Sequence, residues 1–282
     1  MAITTVSALN SLFNTIYEDA LFVARENNIM TNLVTRYSAT GWMNRNISTR
    51  PEISAVGVAD GVDFAAPTTF GRTTLSTLTP GEVIAQVVLT DQDIDTDPDD
   101  ARRDSATELG NAIATKIDTD LTSAFTSFST DKGDGAGNSA TIANFAAAIA
   151  VLRNAKAPNP VYIVCHPYHW HDIWTELGQP GANQALLGDV ANQALRDYFV
   201  GRWINVLWFT NANIAVDASD DAVSGVFNPG ALAFDSRRAP RLEPERDASQ
   251  RAWELNMTAG YAFGVRRDTF GVKFTADAAE PS

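Results

Sequence analysis

Asp97-Pro98-Asp99-Asp100 opens the stretch whose reading decides the fold. Asp97 suits an N-cap and Pro98 the first helical position. Asp99 and Asp100 then face the positive end of the helix dipole. Leu109, Ala112, Ile113, Lys116, Ile117, Asp120, Leu121, Ala124, Phe125 and Phe128 recur at three- and four-residue steps. The spacing predicts one helix from Pro98 to Phe128, about 45 Å long at about 1.5 Å per residue. Such a helix is long for a domain of this size and would serve as its backbone. It stops at Asp131-Lys132-Gly133-Asp134-Gly135-Ala136-Gly137-Asn138, which reads as a flexible loop.

Upstream of this helix the pattern is that of strands. Thr69 to Thr79 is rich in β-branched Thr, with Phe70, Leu75 and Leu78 interleaved. Val83, Ala85, Val87 and Leu89 alternate with Ile84, Gln86, Val88 and Thr90. Between the two runs stands Thr79-Pro80-Gly81-Glu82, a type II turn signal. The expectation is a long hairpin. A two-stranded hairpin is marginal alone in water, so it must lie on its own domain or on a partner. Earlier still, Leu9, Leu12, Phe13, Ile16, Tyr17, Ala20, Leu21, Val23 and Ala24 recur at helical spacing, followed by Ile29, Met30, Leu33, Val34 and Trp42. This is either a helix docked on its own domain or an arm whose apolar stripe is buried on a neighbour.

Downstream, helix and strand alternate from Ala140 to Ala233. Helices are expected at Ile142 to Asn154, from Pro167, and near Val190 to Tyr198. Strands are expected at Val161 to Cys165, Trp203 to Phe209 and Val223 to Phe227. The region Arg241 to Phe274 closes the chain with further strands. The whole is α+β.

The 282 residues carry Lys+Arg 21 against Asp+Glu 34, a net charge of -13, with 45% hydrophobic and 20% charged residues. This is globular composition, and its acidity argues against a sequence-reading nucleic-acid binder. A single cysteine, Cys165, excludes an internal disulfide framework. Met1 to Asn28 lacks a secretory-signal pattern, and Phe145 to Leu152, the longest clean apolar run, is far too short for a bilayer.

Candidate chemistry is sparse. His166, His169 and His171 fall in six residues. On a helix opening at Pro167, Trp170, Ile173, Trp174 and Leu177 share one face. His169, Asp172 and Glu176 share the opposite, exposed one. A metal set there would lack an enclosing pocket, and a solvated face with His166 near the cap explains the cluster better. Cys165 is expected to be a small buried residue. Gly133-x-Gly135-x-Gly137 follows a helix and lacks the Lys-Ser/Thr of a phosphate cradle. The aspartates from Asp91 to Asp100 lack the glycine and closing glutamate of a calcium loop, with Arg102 at the closing position. Arg237, Arg238, Arg241, Arg246, Arg266 and Arg267 stand out in an acidic chain. Interleaved Glu243, Glu245 and Asp247 suit ion pairing, across a subunit contact or within the chain. No catalytic, cofactor-binding or metal-ligating residue is assigned.

The order of elements, with several local phrases, resembles the major capsid proteins of tailed bacteriophages with the HK97-type fold. Glu18-Asp19-Ala20-Leu21-Phe22-Val23-Ala24-Arg25-Glu26 with Asn32-Leu33-Val34 is similar to the family's N-arm. Val87-Val88-Leu89-Thr90 is similar to the end of its extended loop, and the helix from Asp97 takes the place of its spine helix. Tyr162-Ile163-Val164-Cys165-His166-Pro167 resembles a strand-to-helix step of the axial domain, and Gly201-Arg202-Trp203-Ile204-Asn205-Val206 a later strand. Gly230 to Phe234, Gly260 to Val265 and Gly271-Val272 resemble the return to the peripheral domain.

The resemblance implies an N-terminal arm at 1–49 and an extended hairpin loop at 50–92. It implies a peripheral domain with spine helix at 93–139 and 234–282, and an α/β axial domain at 140–233. It implies a structural subunit of the virion that forms hexamers and pentamers around double-stranded DNA without sequence-specific binding. Such a subunit needs no membrane and is assembled in the bacterial host cytoplasm. Portal, a separate scaffold and cement proteins are the implied partners. The scaffold is separate or absent because the arm begins near Met1. Leu12, Phe13, Ile16, Phe70, Leu75, Leu78, Glu82, Arg237, Arg238, Arg241, Arg266 and Arg267 are the candidate interface residues. Arg50 to Thr90 contains no lysine, so a lysine-based weld cannot start from the loop; the four lysines are Lys116, Lys132, Lys156 and Lys273. The rival readings are a metal-assisted hydrolase using the His166–Glu176 segment and a tail-tube subunit.

Overall fold

The computed structural model describes residues 29–63, 69–96, 98–178, 201–203 and 206–281. The expected arm at 1–28, Asp97 and the helix near Val190 to Tyr198 lie outside the described residues. The long helix is α3, Pro98–Ser123, continued by a 3-10 turn at Ala124–Ser127. Before it come α1 (Met30–Leu33) and α2 (Asp91–Thr96). After it come α4 (Ile142–Asn154) and α5 (Pro167–Gly178).

Eleven strands are described. They are β1 (Thr35–Ser38), β2 (Arg45–Thr49), β3 (Thr73–Leu78), β4 (Gly81–Thr90), β5 (Tyr162–Cys165), β6 (Arg202–Trp203), β7 (Val206–Thr210), β8 (Asp221–Phe227), β9 (Leu232–Asp247), β10 (Ala252–Val265) and β11 (Gly271–Asp277). They form a four-stranded sheet in the order β1-β9-β10-β4, a five-stranded sheet β11-β8-β5-β7-β6, and the pair β2-β3.

The expected hairpin is corrected here. β3 and β4 do not pair across Pro80-Gly81. β3 runs antiparallel to β2, from Arg45 opposite Leu78 to Thr49 opposite Thr73. β4 runs antiparallel to β10 over ten residues, from Thr90 opposite Ala252 to Gly81 opposite Tyr261. The reason is burial. Val83, Ala85, Val87 and Leu89 pack on the face of β10 and α3 that carries Leu109, Ile113, Leu255 and Met257. Thr-rich β3 offers no such face. Hence residues 81–90 belong to the four-stranded sheet, and the projecting loop lies between β2 and β3. The second surprise is β9, sixteen residues long. Its charged half, Arg237 to Asp247, is held by the β10 ladder despite low strand propensity.

The spine helix serves two cores. Leu109 and Ile113 lie on β10, beside Leu255, Met257 and Ala259. One end further along, Leu121, Phe125 and Phe128 enter a larger cluster. That cluster includes Phe145, Leu152, Trp170, Trp208 and Phe274 from α4, α5 and the five-stranded sheet. Asp118, on the same helix and 1% exposed, accepts hydrogen bonds from Met30 N (3.1 Å) and Asn211 Nδ2 (3.1 Å). Burial raises its pKa, and the N–H donors partly offset that. This carboxylate therefore ties α1 and the loop after β7 to the spine. Met30, Leu33 and Val34 are buried in their own chain, so this part of the amphipathic N-terminal pattern docks at home.

Two glycines are required by the close approach of the phenylalanine rings at the end of the spine. A Cβ on Gly271 would sit 2.1 Å from the Phe128 ring, and one on Gly225 would sit 2.6 Å from Phe125. Gly271→Ala is therefore expected to destabilise the protein by about 1–3 kcal/mol through overpacking. Chemical denaturation measures this, and adding Phe128→Leu should return part of the loss. An unchanged midpoint for Gly271→Ala would overturn the packing argument.

Candidate assembly surface

Between β2 and β3, no residue of 50–63 or 69–72 joins a hydrophobic core among the described residues. Ile53, Val56, Val58, Val62 and Phe70 are all exposed there, as is Leu75 on β3. Patches of this kind mark interaction sites in soluble chains. The backbone of 59–62 closes a turn, with Val62 N donating to Ala59 O (3.2 Å) and Gly61 at φ +77. Glu52 stands 3.7 Å from Lys156 Nζ, both side chains largely in solvent, so that pair contributes little. The outer face of β4 adds exposed Ile84 and Val88.

Of the expected interface residues, Phe70 and Leu75 are exposed; Phe70 has the Arg50 guanidinium 4.7 Å from its ring centre. Leu78 is different. It is 2% exposed and packs with Ile47, Ala233 and Ala262, because β3 turns its last residue onto the four-stranded sheet. It belongs to the chain's own core. Leu12, Phe13 and Ile16 lie outside the described residues.

Every arginine of the expected set has a partner within the chain. Arg237 Nη2 lies 2.7 Å from Asp235 and Arg238 Nη1 lies 2.7 Å from Glu82. Arg241 pairs with Glu243. Arg266 Nε donates to Tyr37 Oη (2.9 Å), and Arg267 lies 3.9 Å over the Phe270 ring. Arg246 grips Asp91 with two bonds, 2.8 and 2.7 Å. Arg238 also stacks 5.3 Å from the Trp42 ring, which lies over Gly260; a Cβ on Gly260 would sit 2.8 Å from that ring. Sequence reading missed Arg45, which turns out to be central. Its Nε donates to the fully buried Asp235 (2.7 Å), and its guanidinium lies 4.7 Å over the Tyr37 ring.

The histidine segment is also corrected. α5 does open at Pro167, and Trp170, Ile173 and Leu177 are buried as expected. His169, however, is not on a solvated face. It is fully buried, with Nδ1 2.7 Å from Ser224 Oγ and Nε2 3.1 Å from Ala276 O. The edge of β8 and β11 covers the side that the helical wheel left open. Asp172 and Glu176 accept from Ala140 N (3.0 Å) and Ile142 N (2.8 Å), so they hold the entry to α4. His166 sits at the cap, its Nδ1 accepting from Tyr168 N. Among the described residues no group of three His, Cys, Asp or Glu could hold a metal ion. Burial pushes the Cys165 thiol up to about 12, which leaves it an inert core residue, as expected. The Gly133–Asn138 segment is pinned to β11 and β8 rather than loose: Gly135 N donates to Thr275 O of β11 and Gly137 N to Asp221 Oδ1 of β8.

These features define a class. A spine helix across two cores, a peripheral sheet, an α/β unit and a projecting loop make an HK97-type capsid fold. Solved structures agree. One from Mycobacterium phage Che8 is 22% identical with a TM-score of 0.68, covering 88% of this chain and 90% of that one. One from Gordonia phage Cozz is 11% identical with a TM-score of 0.69, covering 90% and 87%. The head structure of Helicobacter pylori bacteriophage KHP40 matches at 10% identity and a TM-score of 0.68, covering 88% and 87%. Among curated proteins nothing matches. The family model for phage capsid protein matches residues 76–274. The chain belongs to that family, and it is a structural component of a phage virion. No helix among the described residues is long and apolar enough to cross a membrane.

His169 gives the shell subunit an acid-sensitive point. Burial lowers its pKa to about 4, below the ordinary 6.5. Folded protein therefore binds fewer protons there than unfolded protein does. Its contribution is fully present above pH ~6.5 and is lost as pH falls toward ~4, a change of about 3 kcal/mol. Thermal melts from pH 7 to 4 should fall more steeply for the native sequence than for His169→Gln. Parallel curves would remove His169 from the acid response.

Proposed function

We propose that this chain is the major capsid subunit of a tailed phage, forming hexamers and pentamers of an icosahedral head around double-stranded DNA. The observation that carries this reading is the exposed apolar loop between β2 and β3. Its described residues enter no core, yet it is borne on a scaffold with two cores. Cyclic, closed contacts between copies would cover it. Contacts of obligate assemblies bury about 2,000–5,000 Å². Many modest contacts then act together, each reversible during assembly.

The parts would divide as an arm at 1–49, an extended loop within 50–92, a peripheral domain at 93–139 and 234–282, and an axial domain at 140–233. The axial domain would gather at the capsomer centre and the loop would lie over a neighbour. The net charge of -13 suits a wall that encloses DNA without gripping it. A loop without lysine suits a shell held by noncovalent contacts or cement proteins. A portal, a separate scaffold and assembly in the bacterial host cytoplasm complete the proposal. The subunit would act without a cofactor and without catalysis.

Replacing residues 51–72 by a short Gly-Asn turn tests it. The β2–β3 ladder and both cores stay, so a soluble folded protein is expected, with a melting point within a few degrees of the parent. Electron microscopy should show shells for the full chain and none for the shortened one. Normal shells from the shortened chain would discard the loop as the assembly element. Tubes instead of shells from the full chain would favour a tail component.

A further inference from the structure

The chain contains two Asp-Gly pairs, Asp60-Gly61 and Asp134-Gly135, and no Asn-Gly pair. In such a pair the glycine has no Cβ to keep its nitrogen away from the aspartate side chain. The structure treats the two pairs in opposite ways. Asp60 and Gly61 are both exposed, in the turn that Val62 N closes on Ala59 O, with Gly61 at φ +77. Among the described residues Gly61 N has no hydrogen-bond acceptor, and the Asp60 carboxylate has no donor or ion pair.

Asp134-Gly135 is held. Gly135 N donates to Thr275 O on β11 (3.2 Å). Asp134 Oδ2 accepts from Thr141 Oγ1 (3.2 Å), and Asp134 O accepts from Asn138 Nδ2 (2.9 Å). The backbone just before it runs so close to β11 that a Cβ on Gly133 would sit 1.9 Å from Thr275 O. Asp134 is itself exposed, so access of water to the carboxylate does not separate the pairs. What separates them is whether the glycine nitrogen and the carboxylate are engaged or free.

We propose that Asp60-Gly61 is a site of covalent self-modification, where the chain rearranges through a cyclic imide to isoaspartate. Gly61 N attacks Asp60 Cγ. A C–N bond forms and a Cγ–O bond breaks. The oxygen leaves as water, taking the Gly61 N–H proton and one proton from solvent. Water then opens the five-membered imide. Addition at Cγ restores aspartate. Addition at the Asp60 backbone carbonyl leaves the main chain running through Cβ and Cγ, with a free α-carboxylate. Water is the only other reactant, and nothing is oxidised or reduced. The net charge is unchanged, but the backbone gains one carbon between Ala59 and Val62. The Val62 N to Ala59 O bond closes a turn of the shorter path, so the rearranged tip takes another shape. The reaction belongs to the free subunit and does not depend on the capsid-subunit reading.

The test is peptide mapping. Purified full-length subunit is kept warm in mildly acidic buffer made with heavy-oxygen water, then digested and read by mass spectrometry with electron-transfer fragmentation, which tells isoaspartate from aspartate. The peptide holding Asp60 should gain heavy oxygen and isoaspartate, about tenfold more than the peptide holding Asp134, because Gly135 N must first open from Thr275. In urea the two peptides should convert alike. Asp60→Glu keeps the charge but needs a larger ring, so it should abolish the signal. Asp60→Asn should raise it, with ammonia leaving in place of water. Circular dichroism checks that each variant is folded. Equal conversion of the two peptides in the folded chain overturns the proposal, as does a silent Asp60 peptide in a chain that converts in urea. A difference that persists in urea assigns the selectivity to flanking residues and overturns it too. A signal that survives Asp60→Glu places the reaction elsewhere.

Discussion

The molecule depends on one helix lying across two cores. α3 presents Leu109 and Ile113 to the four-stranded sheet, and Leu121 with Phe125 and Phe128 of the turn that continues it enter the core of the α/β unit. The larger core also takes in Phe234 of β9 and Tyr261 of β10, so the two sheets share that core beside the helix. The helix is fastened to the two units at different points along its length. The close approach of Phe125 and Phe128 to Gly225 and Gly271 fixes that attachment at the α/β end. Asp118, between the two contact zones, adds the N-terminal turn to the same member.

A scaffold so closed can carry a loop that is not. The excursion between β2 and β3 exposes valine and isoleucine without undoing either core, since the β2–β3 ladder isolates it. At its root Arg45 ties β2 to Asp235 of β9, so the loop leaves from a point fixed by charge as well as by backbone. Most of the conspicuous arginines are partnered at home. The arginines of β9 find their acids along their own strand, as Arg237 with Asp235 and Arg241 with Glu243, or at the two ends of β4, as Arg238 with Glu82 and Arg246 with Asp91. The charges left over mark the surface more than the total number does.

Much of the fold was legible along the chain. The spine helix was announced by its apolar period, by Pro98 at its start and by its length. α4 was announced by Ile142 to Asn154, and α5 by Pro167. These elements are local: their period appears within a window of a dozen residues. What was misread was non-local. Pro80-Gly81 is a sound turn signal, yet the two strands beside it go to different sheets. Turn chemistry sets the direction of the chain but not the partner of a strand. β9 was legible only from Arg241 onward; that it begins at Leu232 and runs through Arg237 and Arg238 shows only once β10 lies beside it. His169 was placed on an open face because a helical wheel knows nothing of what packs around it.

The sequence by itself determined the acidity, the absence of an internal disulfide, the long helix, the alternation after it, and an apolar pattern ahead of the helix that could be buried at home or on a neighbour. Tertiary structure decided which part of that pattern stays home. Met30, Leu33, Leu78 and the inner face of β4 go to the chain's own cores, while Ile53, Val56, Val58 and Val62 do not. The physical reason is that burial is a property of pairs of surfaces. Periodicity fixes which side chains share a face. Only the packing of distant segments fixes whether another face meets it, and that same packing decides which arginines find an acid at home.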